Sequence, residues 1–574
     1  MSQSTAATDG LAKPYAAWMR PWPATLALVV VVSLVRTAIV ALTPYTLIED
    51  EAHYWEWAQR LDWSYYSKGP GIAWLIWAGC ASLGDTTFGV RMPAVLASAV
   101  GALAVAWLAR DMTRTKDSDS PDSRADGRAG FIAAAVFLVL PPFQIVSLLA
   151  TIDGPYLAAW ALAIAGAWRA LHHRSAAGAL LLGTAFAVGF LFKYTVLLLV
   201  PGLLLYAVLH RRSLNAVRTP WWLASTAIAL LGLLPVAIWN AQHDWVTVRH
   251  LLGHLGAPGG DVPEAQTPSE WSPIDAALRL AEFAGLQLAL VGPALVLMFA
   301  SASKRARAMP RSSAAFALLI AAPMLVFYAG VSLFARTEGN WTMAAYVSLA
   351  AACGPGVVHA MDQLLRARLE WLALPLADRP KAGILKRAPE NIRQIMWHWA
   401  LGYGIAAGAG FALMPAVAAL PVIGDVVPIG RLTSADVRAQ HAVEIIDELR
   451  ARTQREPVLI AQHYGRSSQM AFEFARLGRS DIEVYCASAH LDGRRTQYDV
   501  WPETDLSLAS TNDKLRGRPT LLLGGFESQW LPITTDLVPI GELRGEHKRG
   551  RDAFTAQSLL GFDLLPTTNA ETQP

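Results

Sequence analysis

The residues most suited to chemistry are a few polar groups flanked by apolar runs. Asp50 and Glu51 stand in LIEDEAHYWEWAQRLDW, directly after an apolar stretch. A carboxylate there can take a proton from an attacking hydroxyl within hydrogen-bond reach; the plainer reading is a solvated acidic turn before a helix. Lys68, in SYYSKGPGIAWLIW, lies in a Gly-Pro-Gly turn. Its ammonium can clamp a phosphate as a compact charge, or snorkel to an interface. Asp153, in ATIDGPYLAAW, faces a site or caps a helix ahead of Pro155. Lys193, in GFLFKYTVLLLVPG, has apolar neighbours on both sides. That is costly unless it faces a cavity or a partner, or snorkels at a turn. The stretch WNAQHDWVTVRHLLGHLG offers His243, Asp244, His250 and His254. The i,i+4 spacing of the last two suits a divalent metal, or simply a polar loop. In FARTEGNWT, beside Asn340, Arg336 can grip phosphate oxygens bidentately or pair with Glu338.

The elements that must position these groups are membrane spans. Of the 574 residues 53% are hydrophobic, 16% are charged, and the net charge is +3. A soluble chain carries roughly a quarter charged residues. The composition therefore implies a polytopic membrane protein and excludes disorder, a collagen-like repeat and a small disulfide scaffold; the small net charge argues against a nucleic-acid partner. At about 20 apolar residues per helix, spans are predicted near 24–42, 92–110, 131–149, 155–171, 178–192, 194–210, 221–239, 279–301, 313–334, 342–360 and 397–420, about eleven transmembrane helices. The run 71–84 is too short and reads as interfacial, and 51–62 reads as an amphipathic interfacial helix. Lys and Arg split about 22 to about 6 between alternate connections, which puts the N-terminus in the cytoplasm. The connection 111–130 is a polar loop, and 361–396 is basic enough to lie on the inner leaflet.

Residues 1–423 thus form a transmembrane domain whose first outer loop, 43–91, carries the active site. Residues 424–574 form a separate tail with 17 Lys+Arg and 21 Asp+Glu. The tail alternates helical periodicity at 437–453 and 466–477 with strand-like PVLIA, EVYC and TLLLGG, so it is predicted to be an extra-membrane, periplasmic α/β domain. Three cysteines, Cys80, Cys353 and Cys486, permit neither a disulfide framework nor a zinc spacing.

With sidedness assigned, the polar groups above all fall at the outer rim. That suits handling of a phosphorylated lipid at the outer leaflet better than a conduction path, which needs ionisable relays inside the spans. The stretch DEAHYWEWAQRLDWSYYSKGPGIAWLIW resembles the first outer loop of bacterial protein-mannosyltransferase-like GT-C glycosyltransferases, the family that includes the aminoarabinose transferase of lipid A. The resemblance continues through FGVRMPAVLA, TIDGPYLAAW, FKYTVLLLVPG, WNAQHDWVTVRHL and EGNW, and into the tail at QHYGRSSQMAFEFARLG and VYCASAHLDGRRTQYDVWP. It implies a GT-C fold in a bacterial inner membrane and a polyprenyl-phosphate-linked sugar donor, with inversion at the anomeric carbon. It also implies Asp50 as the catalytic carboxylate with Glu51 as its partner, and Lys68 on the donor phosphate. Arg91, Asp153 and Lys193 match recurrent polar positions. In the aminoarabinose branch a glutamate that helps hold a metal precedes the matching lysine; here the residue is Ser67. No metal is therefore assigned, although a divalent ion remains possible.

The expectation is a glycosyltransferase with Asp50 and Glu51 at the chemistry, and Lys68, Lys193, Arg336 and Arg91 on the donor phosphate. Asp153, His243 and Asn340 support them. The acceptor is a hydroxyl or phosphate of a glycolipid, a polysaccharide or a protein, and membrane lipids surround the spans. Two other readings stay open: a transporter or flippase of lipid-linked sugar, which predicts facing repeats and broken midplane helices, and a binding-module tail on an inactive scaffold.

Overall fold

The computed structural model describes residues 22–113, 127–254, 259–261, 271–303, 311–375, 388–418, 420, 429–545 and 552–565. The polar stretch 114–126 and the basic stretch 376–387 lie outside them. The chain divides into two compact units, one of Met1–Ile39, Ala94–Pro235 and Glu270–Phe411, the other of Val40–Pro93, Val236–Ser269 and Ala412–Pro574.

The first unit is helical because lipid offers no partner for backbone amides, so each apolar run must satisfy its own. Among the described residues six helices are long and apolar enough to cross a membrane, or eight if each of two bent pairs is one span. This is a multi-pass membrane protein. The helices Asp153–His173 and Ala176–Phe192 approach closely through Gly166 and Gly178, where a Cβ would come within 2.7 and 2.9 Å of facing backbone.

Two expected spans are broken rather than continuous. Residues 131–149 fall on Gly127–Val139 and Pro141–Leu148, bent by 69°. Residues 279–301 fall on Pro273–Val291 and Pro293–Ala302, bent by 93°. In both, a proline opens the second helix, where its missing N–H costs nothing. Gly292 supplies a left-handed φ of 58° at the sharper break. At the other, Gln144 Nε2 donates to the Val139 carbonyl (2.7 Å), a group at the break, and to that of Gly404 (2.8 Å) in the helix Ala388–Ala418. The helix Gly71–Leu83 has 13 residues, about 20 Å of rise, which is short of a bilayer core.

In the second unit the tail forms a five-stranded sheet. Strands β1 (Val458–Ala461), β2 (Val484–Cys486) and β3 (Thr520–Leu523) run parallel, and β4 (Val538–Gly541) and β5 (Ala553–Ala556) are added antiparallel, in the order β2-β1-β3-β5-β4. Alternation along β1 sends Leu459 and Ala461 to one apolar layer and Val458 and Ile460 to the other. The expected α/β character is present, with β4 and β5 as additions that the sequence reading did not anticipate.

The helix α1 (Glu49–Gln59) corrects a second expectation. It is not an amphipathic interfacial helix: residues 51–58 are all buried. It packs against the tail helix α3 (Tyr464–Arg476), which follows α2 (Ala435–Thr453) in the chain. Trp55 meets Phe472 edge-on at 5.1 Å, and Trp57 stacks on Tyr65 at 4.4 Å. The buried polar groups find partners there: Glu56 accepts from the hydroxyls of Ser468 and Tyr498, and His53 Nδ1 lies 3.0 Å from Ser468 Oγ. Gln469 donates to the Leu47 carbonyl at 2.8 Å, and the Thr46 amide donates to the Leu432 carbonyl at 2.8 Å.

Beside this seam Asp499 is buried, its Oδ2 accepting from the Thr496 amide (2.6 Å) and hydroxyl (3.1 Å). Burial pushes its carboxyl from 3.8 up to about 6, against the effect of those bonds. A raised acid holds its proton more tightly when folded, so its contribution to stability is full below the unfolded value and is lost as pH rises through the folded one. Two pKa units amount to roughly 3 kcal/mol. Asp499→Asn keeps an acceptor oxygen without the charge. It is expected to raise the melting temperature of the full chain at pH 7–8 and to change it little near pH 4. Melting curves across that range check this, and a variant destabilised at pH 7 contradicts it.

Candidate active site

The first turn of α1 carries Glu49, Asp50 and Glu51, and the fold sends the three side chains to different fates. Glu51 turns inward and is wholly buried. Its Oε2 accepts from the Ile48 amide at 3.0 Å, closing the helix N-terminus. Arg91 grips both its oxygens, Nε to Oε1 at 2.8 Å and Nη2 to Oε2 at 2.6 Å. The same guanidinium donates to the carbonyls of Tyr45 (3.1 Å) and Thr46 (2.8 Å). Arg91 is therefore engaged by this clamp on residues 45–51, and not presented to a ligand as the sequence reading expected. Asp50 is left exposed on the neighbouring position, where its Oδ1 accepts from Tyr464 Oη at 3.1 Å. Burial, and then the negative charge of Asp50, push the Tyr464 phenol well above its ordinary value, so it remains a donor. His463 Nδ1 lies 3.8 Å from Glu49 Oε2.

Lys68 closes a tight turn: its carbonyl accepts from the Tyr65 amide at 3.0 Å and from Ser64 Oγ at 3.2 Å. Next to it Tyr66 is pinned at both ends, its amide donating to Gln497 Oε1 at 2.7 Å and its hydroxyl to Asp261. His250 Nδ1 is 3.7 Å from Asp261 Oδ1. Its imidazole binds a proton less readily than a free one. Burial is the largest cause; the bond to Asp261 opposes it, and the positive charges of Lys68 and Arg494 add to it. Both cations thus act on the same ring. Arg494 also lies over the Tyr464 ring, 5.5 Å from its centroid. His243 stacks on Trp239 at 3.9 Å, and Trp239 Nε1 donates to Asp62 at 2.7 Å. The side chain of His254 lies outside the described residues. Among those described, no three His, Cys, Asp or Glu side chains are grouped to hold a metal ion.

In the first unit, Asp153 opens the helix Asp153–His173, and Lys193 ends Ala176–Phe192. Lys193 Nζ donates to Asp153 Oδ1 at 2.7 Å, and Asn340 Nδ2 donates to Asp153 Oδ2 at 3.2 Å. Three of the expected residues therefore form one cluster, in which Lys193 is ion-paired. Arg336 is elsewhere: its side chain is 84% exposed and nearest Glu282, at 3.8 Å, rather than Glu338.

Tyr464 and Arg494 were not among the residues expected at the site. Both stood in segments the sequence reading singled out, QHYGRSS and LDGRRT, but nothing in the spacing told which tail side chains reach the first loop.

The fold class follows from solved structures. ArnT from Cupriavidus metallidurans, determined bound to undecaprenyl phosphate, matches with a TM-score of 0.56 at 15% identity, over 92% of this chain and 97% of that one. Its apo form matches at 0.55 and 15%, over 94% and 98%. The protein has the GT-C fold, as the sequence implied. The sequence comparisons narrow this. Residues 67–239 match the dolichyl-phosphate-mannose-protein mannosyltransferase family. The lipid A galacturonosyltransferase RgtD of Rhizobium johnstonii is 29% identical over 302 residues, 52% of this chain. The match spans 58% of that relative's length. The expected family resemblance is borne out, and glycosyltransferase is the class named by both the family and the relative.

Proposed function

We propose that the protein is a membrane glycosyltransferase that moves a sugar from a polyprenyl-phosphate carrier to a hydroxyl of a lipid A-type glycolipid at the periplasmic face, with inversion. The observation that carries this reading is Asp50: an exposed carboxylate on a rigidly clamped helix start, hydrogen-bonded by Tyr464, in the unit that also holds Lys68 and Arg494. Asp50 takes the proton of the acceptor hydroxyl. The acceptor oxygen bonds to the anomeric carbon as the bond from that carbon to the phosphate oxygen breaks. Polyprenyl phosphate leaves with the electron pair, and the cations Lys68 and Arg494 stabilise the charge it gains. Glu51 and Arg91 hold the segment that presents Asp50 and do not touch substrate. A donor of this kind is consistent with the undecaprenyl phosphate bound by ArnT, and the acceptor with the lipid A named for RgtD.

The test uses the full chain in nanodiscs with lipid A and undecaprenyl-phosphate-linked galacturonic acid or aminoarabinose. Released undecaprenyl phosphate and the mass gained by lipid A are followed together. Wild type is expected to produce both in equal amounts, and Lys68→Ala to slow them about 10²–10³-fold, the usual effect of removing one aimed donor. Movement of intact lipid-linked sugar between leaflets with no release would favour a transporter instead.

A further inference from the structure

A cleft at the far end of α1 has no part in the site above. Paired contacts in rising order, Asp50 with Tyr464, His53 with Ser468 and Trp55 with Phe472, show that α1 and α3 run parallel. Asp50 lies at their N-terminal ends. At their C-terminal ends, with β2 behind, is a cavity of about 410 Å³, within the roughly 300–1,000 Å³ common for small-molecule sites. Six residues of helix separate Asp50 from Glu56, which lines the cavity, about 9 Å along the axis.

The lining is of two kinds. Trp55, Phe474 and Ile482 form an apolar wall, with Trp55 fixed by its Nε1 donating to Asp85 at 2.9 Å. Opposing them are half-exposed charged pairs: Arg60 with Glu503 at 3.1 Å and Lys514 with Glu483 at 2.6 Å. Lys514 also reaches Tyr485 Oη at 3.2 Å. A sugar ring needs this combination. Its C–H face packs on an apolar wall, and its hydroxyls each give and accept a hydrogen bond, which paired carboxylates and cations supply side by side. Glu56, Glu483 and Glu503 outnumber Arg60 and Lys514 by one, which disfavours uronic acids and phosphates.

We propose that this cleft is a second carbohydrate site, which takes a neutral or amino-bearing stretch of glycan. Its assignment to the acceptor's own glycan rests on the glycosyltransferase reading; sugar binding by the cleft does not. It holds the acceptor at a point about two sugar rings from Asp50.

The experiment is saturation-transfer NMR on the full chain in nanodiscs with maltotriose, chitotriose and trigalacturonate as probes. Saturable binding of maltotriose or chitotriose is expected, with trigalacturonate at least tenfold weaker. Ala475→Trp, which fills the cleft from α3, is expected to weaken the neutral probe at least tenfold. Lys514→Gln, at an exposed position, is a second variant expected to weaken it at least threefold if the first fails to fold. The proposal is overturned if neither neutral probe saturates, if trigalacturonate binds best, or if the variants that fold bind like wild type. Release of undecaprenyl phosphate is measured on the same samples. Sugar binding without release retires the transferase reading and leaves the cleft, and release without sugar binding does the reverse.

Discussion

Asp50→Asn is expected to lower sugar transfer by about 10²–10⁴-fold, the range over which a positioned general base acts. The change is nearly isosteric. Asparagine keeps an oxygen to accept the Tyr464 hydroxyl, so the contact at 3.1 Å can persist. It cannot take the acceptor's proton. Asp50 is exposed, and its neighbour Glu51 carries the bonds that fix the turn, so folding is expected to be unaffected. Donor affinity, which depends on the cations, is expected to hold as well. Turnover, melting temperature and the donor dissociation constant are measured together. A folded variant with normal donor binding and wild-type turnover would remove Asp50 from the chemistry.

Arg91→Met is expected to be among the most damaging single changes to stability. It leaves the Glu51 carboxylate buried without its counter-charge and strips the Tyr45 and Thr46 carbonyls of their donor. Breaking one side of a buried pair typically costs about 3–5 kcal/mol. The damage falls on residues 45–51, so activity should drop even where some folded protein survives. Removing both charges, as Arg91→Met with Glu51→Gln, is expected to recover part of the loss, because no unpaired ion remains. A double-mutant cycle on melting temperature separates the two effects. Additive losses would mean the pair does not act as a clamp.

The helices were legible because long apolar runs have few other homes: the eleven expected segments are largely helical, although among the described residues six, or eight with the bent pairs, are long and apolar enough to cross a membrane. The breaks were not read, although Pro141 and the Gly292-Pro293 pair mark them. An apolar window averages over a kink. Asp50 and Lys68 stood out as candidates because they stand in one short loop with unusual neighbours. The fate of Glu51 and Arg91 was hidden: two adjacent acids look alike until a partner 40 positions away chooses one. Likewise the pattern of α1, with its Trp and Tyr residues, fits a membrane interface as well as a protein one. What decided between them was Phe472, Ser468 and Tyr498, more than 400 residues further on.

That separation also has a cost in time. Glu56 is joined to Ser468 across 412 positions and to Tyr498 across 442. At about 5–20 residues per second, a ribosome needs roughly 20–90 s to deliver the partners after the first loop has been made. For that interval α1 has its acids, histidine and aromatic rings without the surfaces that cover them. The buried surroundings of α1, and with them the fixed position of Asp50, can therefore form only once most of the tail has been made.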